Sequence, residues 1–304
     1  MNETYLGIDI GGTNTKFGIV GRGGELLEKL RYPTAELRAD SDGFIEAFLR
    51  RLAVLLAAHP EIEDVGIGVP GTLGPRRRST MVLPNIPELG YYGLMDRLEG
   101  GFPGHRFRLE NDANAAALGE LLFATEALPE SYIFLTLGTG VGGAVIYKNE
   151  IFGGEGGNAM EVGHIPVGNG LSLEQTIGKA GMVAMCRRYL QKGKLKSTLK
   201  DNEKLDSKKI QKACLAGDEV ALKVFAKIGK YLGQGLVANL RILDIPTVIL
   251  GGGVSKTYDV IYPSIMAELE KWLTPYYLNR LDLRAASLGN DAGVLGAAAL
   301  VIPR

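Results

Sequence analysis

The sequence has few cysteines, no net charge and no long apolar run, and each shortage excludes a class of protein. Its two cysteines, Cys186 and Cys214, can form neither a disulfide framework nor a cysteine metal cluster. The 34 basic and 34 acidic residues cancel, whereas a nucleic-acid-binding protein usually carries a basic surface. The single basic run, Arg76 to Arg78, is predicted to be a solvated loop tip. No apolar run can span a membrane and no signal-peptide pattern precedes the first strand, so we expect a cytoplasmic protein without nucleic-acid or membrane partners.

Glycine is abundant instead, with 42 residues in a chain of 304 whose composition is otherwise globular. Each half opens with predicted strands around a glycine-rich turn and then alternates strands with helices, so the architecture is duplicated although the sequence is not. We predict an α/β fold with two lobes and a ligand cleft between them. The first lobe is residues 1–115, with the helix 292–304 packed back on it, and the second is residues 116–291.

The first glycine-rich loop joins two strands within residues 7–20. An apolar strand carries Asp9, breaks at Gly11-Gly12-Thr13 and resumes as a second apolar strand. Bare glycines let backbone N–H groups approach a phosphate closely, and the acid beside them can hold a divalent cation. An ordinary β-hairpin has the same pattern, so this loop alone leaves both interpretations open.

A second loop has the sequence Leu137-Gly138-Thr139-Gly140-Val141-Gly142-Gly143. A dinucleotide-binding fold also places glycines after a strand, but there a helix must follow. Here residues 144–147 are of β type, which excludes that fold, and no stretch matches a P-loop. Two strand–glycine–strand loops indicate a phosphate held from both lobes.

A third run, Gly251-Gly252-Gly253, either admits a flat ring such as adenine or forms a tight strand-to-helix turn.

Polar residues follow the predicted strand 107–110. Asn111 and Asp112 can bind neighbouring hydroxyls of a polyol, and an acid at a strand end can accept the proton of a hydroxyl that attacks a γ-phosphate. Asp112 is alternatively the N-cap of the predicted helix 112–123. Further along, Glu161, His164 and Glu174 predict a polar wall that binds hydroxyl groups.

Seven motifs follow one another along residues 6–300. In chain order they are Asp9-Ile10-Gly11-Gly12-Thr13, Gly68-Val69-Pro70-Gly71, Glu110-Asn111-Asp112-Ala113-Asn114-Ala115-Ala116, Leu137-Gly138-Thr139-Gly140-Val141-Gly142-Gly143, Glu161-Val162-Gly163-His164, Gly251-Gly252-Gly253-Val254 and Asp291-Ala292-Gly293-Val294-Leu295-Gly296-Ala297-Ala298. In this order they resemble the ROK family, which groups sugar kinases, open reading frames and transcriptional repressors. The resemblance implies an actin-like ATPase (ribonuclease H-like) fold, ATP and Mg²⁺ as cofactors, a hexose or aminosugar as acceptor, and a homodimer or dimer of dimers.

The resemblance also implies roles for individual residues. Asp112 is implied as the general base, and Asp9 as the acid on the Mg²⁺ side, acting through the nucleotide. The implied sugar-binding residues are Gly71, Asn85, Asn111, Asp112, Glu161, His164 and Glu174. The implied nucleotide-binding residues are Asp9, Gly11, Gly12, Thr13, Asn14, Lys16, Gly138, Thr139 and Gly140, with Gly252 and Gly253 near the adenosine.

Three departures from the family pattern matter. Many members carry a cysteine-rich zinc loop before the later Glu, whereas residues 165–174 here contain no cysteine, so no structural zinc site is expected. Asn14 stands where a Lys often follows the Gly-Gly-Thr turn, and Lys16, on the same strand face, is expected to serve instead. Met160 stands where a Gly usually precedes the Glu.

The leading functional hypothesis is an ATP-dependent kinase that phosphorylates glucose to glucose 6-phosphate. Alternative acceptors are N-acetylmannosamine, N-acetylglucosamine, allose and fructose, whose kinases share much of the same polar set. A non-catalytic sugar-sensing regulator, such as a transcriptional repressor, is a second class; it is disfavoured because only a few residues precede the first strand, where such relatives carry a helix-turn-helix domain, and because the net charge is zero. A catalytically inactive sugar-binding protein is disfavoured because Asp9 and Asp112 are both present. A chaperone-like or filament ATPase is a third, disfavoured because the polar motifs suit a small polyol.

Overall fold

The structure is a computed structural model that describes residues 3–201 and 204–303. The chain forms two compact units. Unit 1 comprises Met1–Glu130, Ala144–Ala159 and Asn290–Arg304, and unit 2 comprises Ser131–Gly143 and Met160–Gly289. Two five-stranded mixed sheets underlie the fold, with the strand orders β3-β2-β1-β4-β5 and β10-β9-β6-β7-β8.

Ten strands and eleven helices lie within the described residues. The strands are β1 (Thr4–Ile10), β2 (Asn14–Gly21), β3 (Leu26–Pro33), β4 (Asp64–Val69), β5 (Arg106–Asn111), β6 (Tyr132–Leu137), β7 (Val141–Tyr147), β8 (Glu150–Ile151), β9 (Thr247–Gly252) and β10 (Asp282–Ala285). The helices are α1 (Thr34–Arg38), α2 (Gly43–Ala58), α3 (Leu94–Gly101), α4 (Asp112–Phe123), α5 (Leu173–Ile177), α6 (Lys179–Lys192), α7 (Ser207–Leu215), α8 (Glu219–Leu243), α9 (Tyr258–Trp272), α10 (Pro275–Leu278) and α11 (Ala292–Ala299).

The core of unit 1 lies between the first sheet and α2. Strands β1, β2 and β3 pair antiparallel, while β4 and β5 run parallel to β1. The apolar stripe predicted for the helix over residues 41–58 is buried, as its Phe44, Phe48 and Leu52 show. Phe48 meets Phe17 of β2 with their ring centroids 5.8 Å apart. Aromatic side chains therefore fix this helix on the sheet through area burial and ring contact together.

Helix α11 lies against β1 and α4, although it is far from both in sequence. A methyl group on Gly7 would lie 2.1 Å from the carbonyl oxygen of Val294, and one on Gly296 would lie 2.1 Å from that of Ala115. Only glycine permits so close an approach of two backbones. The predicted lobe boundary after residue 115 falls within α4, and the division into lobes stays a prediction.

Among the described helices, none combines the length and the apolar character needed to cross a membrane. The sequence-based elements agree with the structure in most places. The second predicted strand of the later glycine loop begins at Val141 rather than at residue 144, and α3 lies in a stretch for which no helix was predicted.

Candidate active site

The carboxyl ends of three parallel strands meet at one edge of the first sheet. Asp9 of β1 lies opposite Gly68 of β4, and Gly68 lies opposite Glu110 of β5. A methyl group on Gly68 would lie 3.7 Å from the Cα atom of Asp112. The acid predicted for the cation and the acid predicted as the base therefore share this sheet edge, where ligands of open α/β sheets bind.

The Asp9 carboxylate has a cation beside it already. Lys16 Nζ donates to Asp9 Oδ2 at 2.8 Å, and the two side chains are 24% and 16% exposed. A methyl group on Gly293 would lie 2.6 Å from the same oxygen, so the first turn of α11 packs against the carboxylate.

A metal held by side chains alone is not supported in this region. In the residues that the structure describes, no three His, Cys, Asp or Glu side chains form a group that could hold a metal ion. Mg²⁺ is commonly bound by one or two carboxylates together with substrate phosphates. Asp9 fits that manner of binding, since it is a single acid next to the Gly11-Gly12-Thr13 turn.

That turn is held closely by its surroundings. Gly11 N donates to the Asn14 carbonyl at 3.0 Å, and the Asn14 side chain accepts from Arg31 Nε at 2.8 Å. A methyl group on Gly12 would lie 2.7 Å from Asn85 Cβ. The structure thus brings Asn85, predicted for the sugar side, against the first glycine-rich loop.

Asn111, not Asp112, is the N-cap of α4, so the interpretation of Asp112 as the cap is wrong. Asn111 Oδ1 accepts from Ala113 N at 2.9 Å and from Asn114 N at 3.2 Å. Asn111 still has the extended backbone of β5, with ψ of 144°, which is the conformation that an N-cap requires. Asp112 is the first helical residue, where a negative charge is favoured by the helix dipole.

Gly71 lies next to this cap. Asn111 Nδ2 donates to the Gly71 carbonyl at 3.1 Å. Gly71 has φ of +86°, and a methyl group there would lie 2.2 Å from the Val82 carbonyl oxygen. Glycine is therefore required at this bend, and two residues predicted for the sugar site are in direct contact.

The basic run is not a solvated loop tip throughout, which corrects the prediction. Arg77 turns inward and pairs with Glu110 at 2.9 Å, with side chains 22% and 11% exposed. Arg78, by contrast, pairs with Asp96 and Glu99 at the surface. The sequence reasoning missed both Arg77 and Glu110. The strand offered no signal, because Glu110 alternates in phase with the exposed Arg106 and Arg108 and is nevertheless buried.

The glycines of unit 2 that are predicted to bind the nucleotide lie at the ends of two adjacent parallel strands. Leu137 of β6 is opposite Gly252 of β9 in the register. The loop with Gly138, Thr139 and Gly140 therefore starts beside Gly252 and Gly253. Gly138 N donates to the Gly140 carbonyl at 2.9 Å, which closes the loop into a tight turn.

Glu174 holds this second loop. Its Oε2 accepts from Val141 N at 2.9 Å, and a methyl group on Gly140 would lie 2.2 Å from the same oxygen. Glu174 lies in the first turn of α5, which begins with a capping box formed by Ser172 and Gln175. Glu174, predicted to bind the sugar, is thus placed by a well-capped helix and accepts a hydrogen bond from the end of the second glycine-rich loop.

Glu161 and His164 lie together on a short helical turn. Glu161 Oε2 is 3.7 Å from His164 Nε2, and the side chains are 43% and 70% exposed. Met160 before them has φ of +69°. That left-handed backbone explains why glycine is usual at this position in the resembled family.

The cysteine-free loop is closed by its own hydrogen bonds. Val167 N donates to the Leu171 carbonyl at 2.9 Å, and Asn169 Nδ2 donates to Thr176 Oγ1 at 3.0 Å. Gly168 N donates to Gln234 Oε1 of α8 at 3.3 Å. These bonds order the segment that leads to Glu174.

Comparisons with known proteins identify the family of the chain. The family model described as "ROK family" matches residues 5–304. A glucokinase of Thermotoga maritima is 29% identical over 98% of this chain and 97% of its own length. A solved structure of a candidate sugar kinase from Cytophaga hutchinsonii is 37% identical with a TM-score of 0.88, covering 98% of this chain and 99% of that one. A ROK family glucokinase from Streptomyces griseus, in complex with glucose and AMPPNP, is 30% identical with a TM-score of 0.80 at the same coverage. The chain therefore belongs to the ROK family and has its actin-like ATPase fold.

Proposed function

We propose that the protein is an ATP-dependent sugar kinase that transfers the γ-phosphoryl group of ATP to a hexose hydroxyl. Glucose, giving glucose 6-phosphate, is the acceptor that we propose first. The observation that carries the proposal is the Asn111-Asp112 turn at the carboxyl end of β5, in a chain of the ROK family. The glucokinases among its relatives, one solved with glucose and an ATP analogue, support the choice of substrates.

Asp112 would act as the general base. Its carboxylate accepts the proton of the attacking hydroxyl while the sugar oxygen bonds to the γ-phosphorus, and the bond to the ADP oxygen breaks. Asn111 fixes the turn from which Asp112 projects, through its two cap bonds and its bond to Gly71. Positioning and electrostatics supply most of the acceleration in such reactions.

The remaining predicted residues have proposed roles in binding. In unit 1, the residues proposed to approach phosphate oxygens are Gly11, Gly12, Thr13, Asn14 and Lys16. Those proposed to line the sugar are Gly71, Asn85 and Asn111. In unit 2, the residues proposed to bind phosphate are Gly138, Thr139 and Gly140. Those proposed to contact the adenosine are Gly252 and Gly253, and those proposed to bind the sugar hydroxyls are Glu161, His164 and Glu174. Mg²⁺, when bound, supplies charge neutralisation at the phosphates, and Asp9 would hold it with the nucleotide.

Assembly and location remain proposals as well. We propose a homodimer or dimer of dimers that works in the cytoplasm, without a structural zinc ion.

A coupled ADP-release assay with ATP, Mg²⁺ and a panel of hexoses and aminosugars tests the function. Asp112→Asn should lower kcat by about 10²–10⁴-fold, the range of general-base contributions, at an unchanged melting temperature. Asp96→Asn is the matched control, since the Asp96 side chain is 76% exposed and pairs at the surface.

Full activity of Asp112→Asn would refute its role as the base. A folded, ATP-binding protein that turns over no sugar would refute the kinase assignment and favour a sugar sensor.

A further inference from the structure

Glu110 is a buried carboxylate that the proposed reaction does not use. Its residue is 9% exposed, and both oxygens accept hydrogen bonds. Oε2 accepts from Arg77 Nε at 3.0 Å, and Arg77 Nη2 lies 2.9 Å from Oε1 in the same ion pair. Oε1 also accepts from the backbone N of Asn111 at 2.8 Å and from Asn114 Nδ2 at 3.0 Å. One carboxylate therefore joins an arginine to the peptide that precedes Asp112.

Arg77 connects a second segment to this carboxylate. Its Nη2 also donates to the carbonyl of Gly157. Next to that contact, Leu73 N donates to Asn158 Oδ1 and Asn158 Nδ2 donates to the Leu73 carbonyl, each at 2.9 Å. The hairpin of residues 73–80, which carries Arg77, is thus bonded to Gly157 and Asn158, and Arg77 links it to Glu110.

The backbone of the hairpin is strained at this point. Arg76 and Arg77 have φ of 56° and 57° in succession, a left-handed conformation that costs energy in residues with a Cβ atom. Such residues persist where the surroundings determine them, and they cluster at functional sites. The side-on ion pair with Glu110 is the contact that this backbone makes possible for Arg77.

We propose that Arg77 is a positioning residue for the Asn111–Asp112 turn and acts through Glu110. The proposal rests on the sugar-kinase function above. The Glu110 carboxylate fixes the Asn111 amide, Asn111 caps α4 and holds Gly71, and Asp112 follows directly. A planar guanidinium that donates through Nε to Oε2 and places Nη2 2.9 Å from Oε1 fixes the direction of that carboxylate, whereas a single ammonium contact does not. Displacement of a reacting group by about 1 Å can cost about 100-fold in rate, so the pair controls activity without touching substrate.

The test compares Arg77→Lys with Arg78→Lys, two neighbouring arginines of which the second pairs only with exposed acids in the described contacts. Arg77→Lys keeps the charge and loses the planar guanidinium, whose Nε and Nη2 face the two carboxylate oxygens. We expect kcat to fall about 10–100-fold and the sugar KM to rise severalfold, while the ATP KM stays within about twofold. Arg78→Lys should leave all three constants unchanged.

A second measurement does not depend on turnover. Hydrogen exchange of the backbone amides of residues 111–114 should accelerate about tenfold or more in Arg77→Lys and in Glu110→Gln, and the double variant should add little, because the two residues act as a unit. Arg78→Lys should match the parent protein.

Unchanged kcat and unchanged exchange in Arg77→Lys would overturn the positioning role, and so would equal losses in the two lysine variants. A parent protein that exchanges as expected but phosphorylates no sugar would refute the kinase function alone.

Discussion

Gly252 and Gly253 are adjacent, yet a methyl group should destabilise the fold strongly at Gly252 and hardly at all at Gly253. Gly252 has φ of 78° and ψ of −167°, a region that is essentially restricted to glycine. A methyl group there would lie 2.4 Å from the Leu137 carbonyl oxygen and 2.8 Å from its nitrogen. At Gly253 the nearest atom is the same carbonyl oxygen at 3.8 Å, an ordinary contact.

The magnitude follows from strain and overlap. Placing alanine in a glycine-only backbone region costs about 1–3 kcal/mol, and forcing atoms into a packed site costs about 1–3 kcal/mol more. Gly252→Ala should therefore lose about 2–6 kcal/mol of unfolding free energy, and its melting temperature should fall on the order of 10 °C. Gly253→Ala lies in a short helical turn and should change stability by no more than about 1 kcal/mol.

Thermal unfolding followed by circular dichroism, together with the KM for ATP, separates fold from function. Gly253→Ala should keep the melting temperature and raise the ATP KM, because we propose that adenosine approaches this backbone. Similar melting temperatures for the two variants would refute the steric reasoning. An unchanged ATP KM in Gly253→Ala would remove Gly253 from the proposed nucleotide site.

Two further predictions concern backbone strain and thiol chemistry. Met160→Gly should stabilise the protein by about 1 kcal/mol, because the left-handed strain at φ of +69° exceeds the added chain entropy of glycine. Urea unfolding measures this, and a less stable variant would show that the Met160 side chain contributes more than its backbone costs. Burial raises the pKa of both the Cys186 and the Cys214 thiols to about 11, so at pH 8 neither should react with iodoacetamide until the protein unfolds. Rapid labelling of the native protein, followed by mass spectrometry, would contradict that burial.

The glycine loops were predictable because their signals are local. A buried strand, two or three glycines and a second strand suffice to place Gly11 and Gly138, and neither position depends on distant residues. The cap of α4 was harder, because Asn111 and Asp112 are both good caps. Asn111 becomes the cap because it is still part of β5, where it pairs with Val69 of β4 and keeps an extended backbone.

Arg77 could not be predicted, for a physical reason. Its orientation depends on two successive left-handed residues and on Glu110, which lies 33 residues away. Local charge patterning favours an exposed loop for such a run, and only the tertiary structure shows which arginine turns inward. The hydrogen bond from Val141 N to Glu174 could not be predicted for the same reason, because it joins a loop to a helix 33 residues later.

The close approach of β1 and α11 has a consequence for synthesis. The backbone of Gly7 meets that of Val294, and the Asp9 carboxylate lies against the turn that contains Gly293. A ribosome that adds about 5–20 residues per second would synthesise Val294 roughly 15–60 s after Gly7. During that interval the apolar strand and its acid are exposed without their helix, while the whole of unit 2 can emerge and fold. The proposed catalytic half of the protein, which begins first, is therefore completed last, and incomplete chains lack the helix beside Asp9.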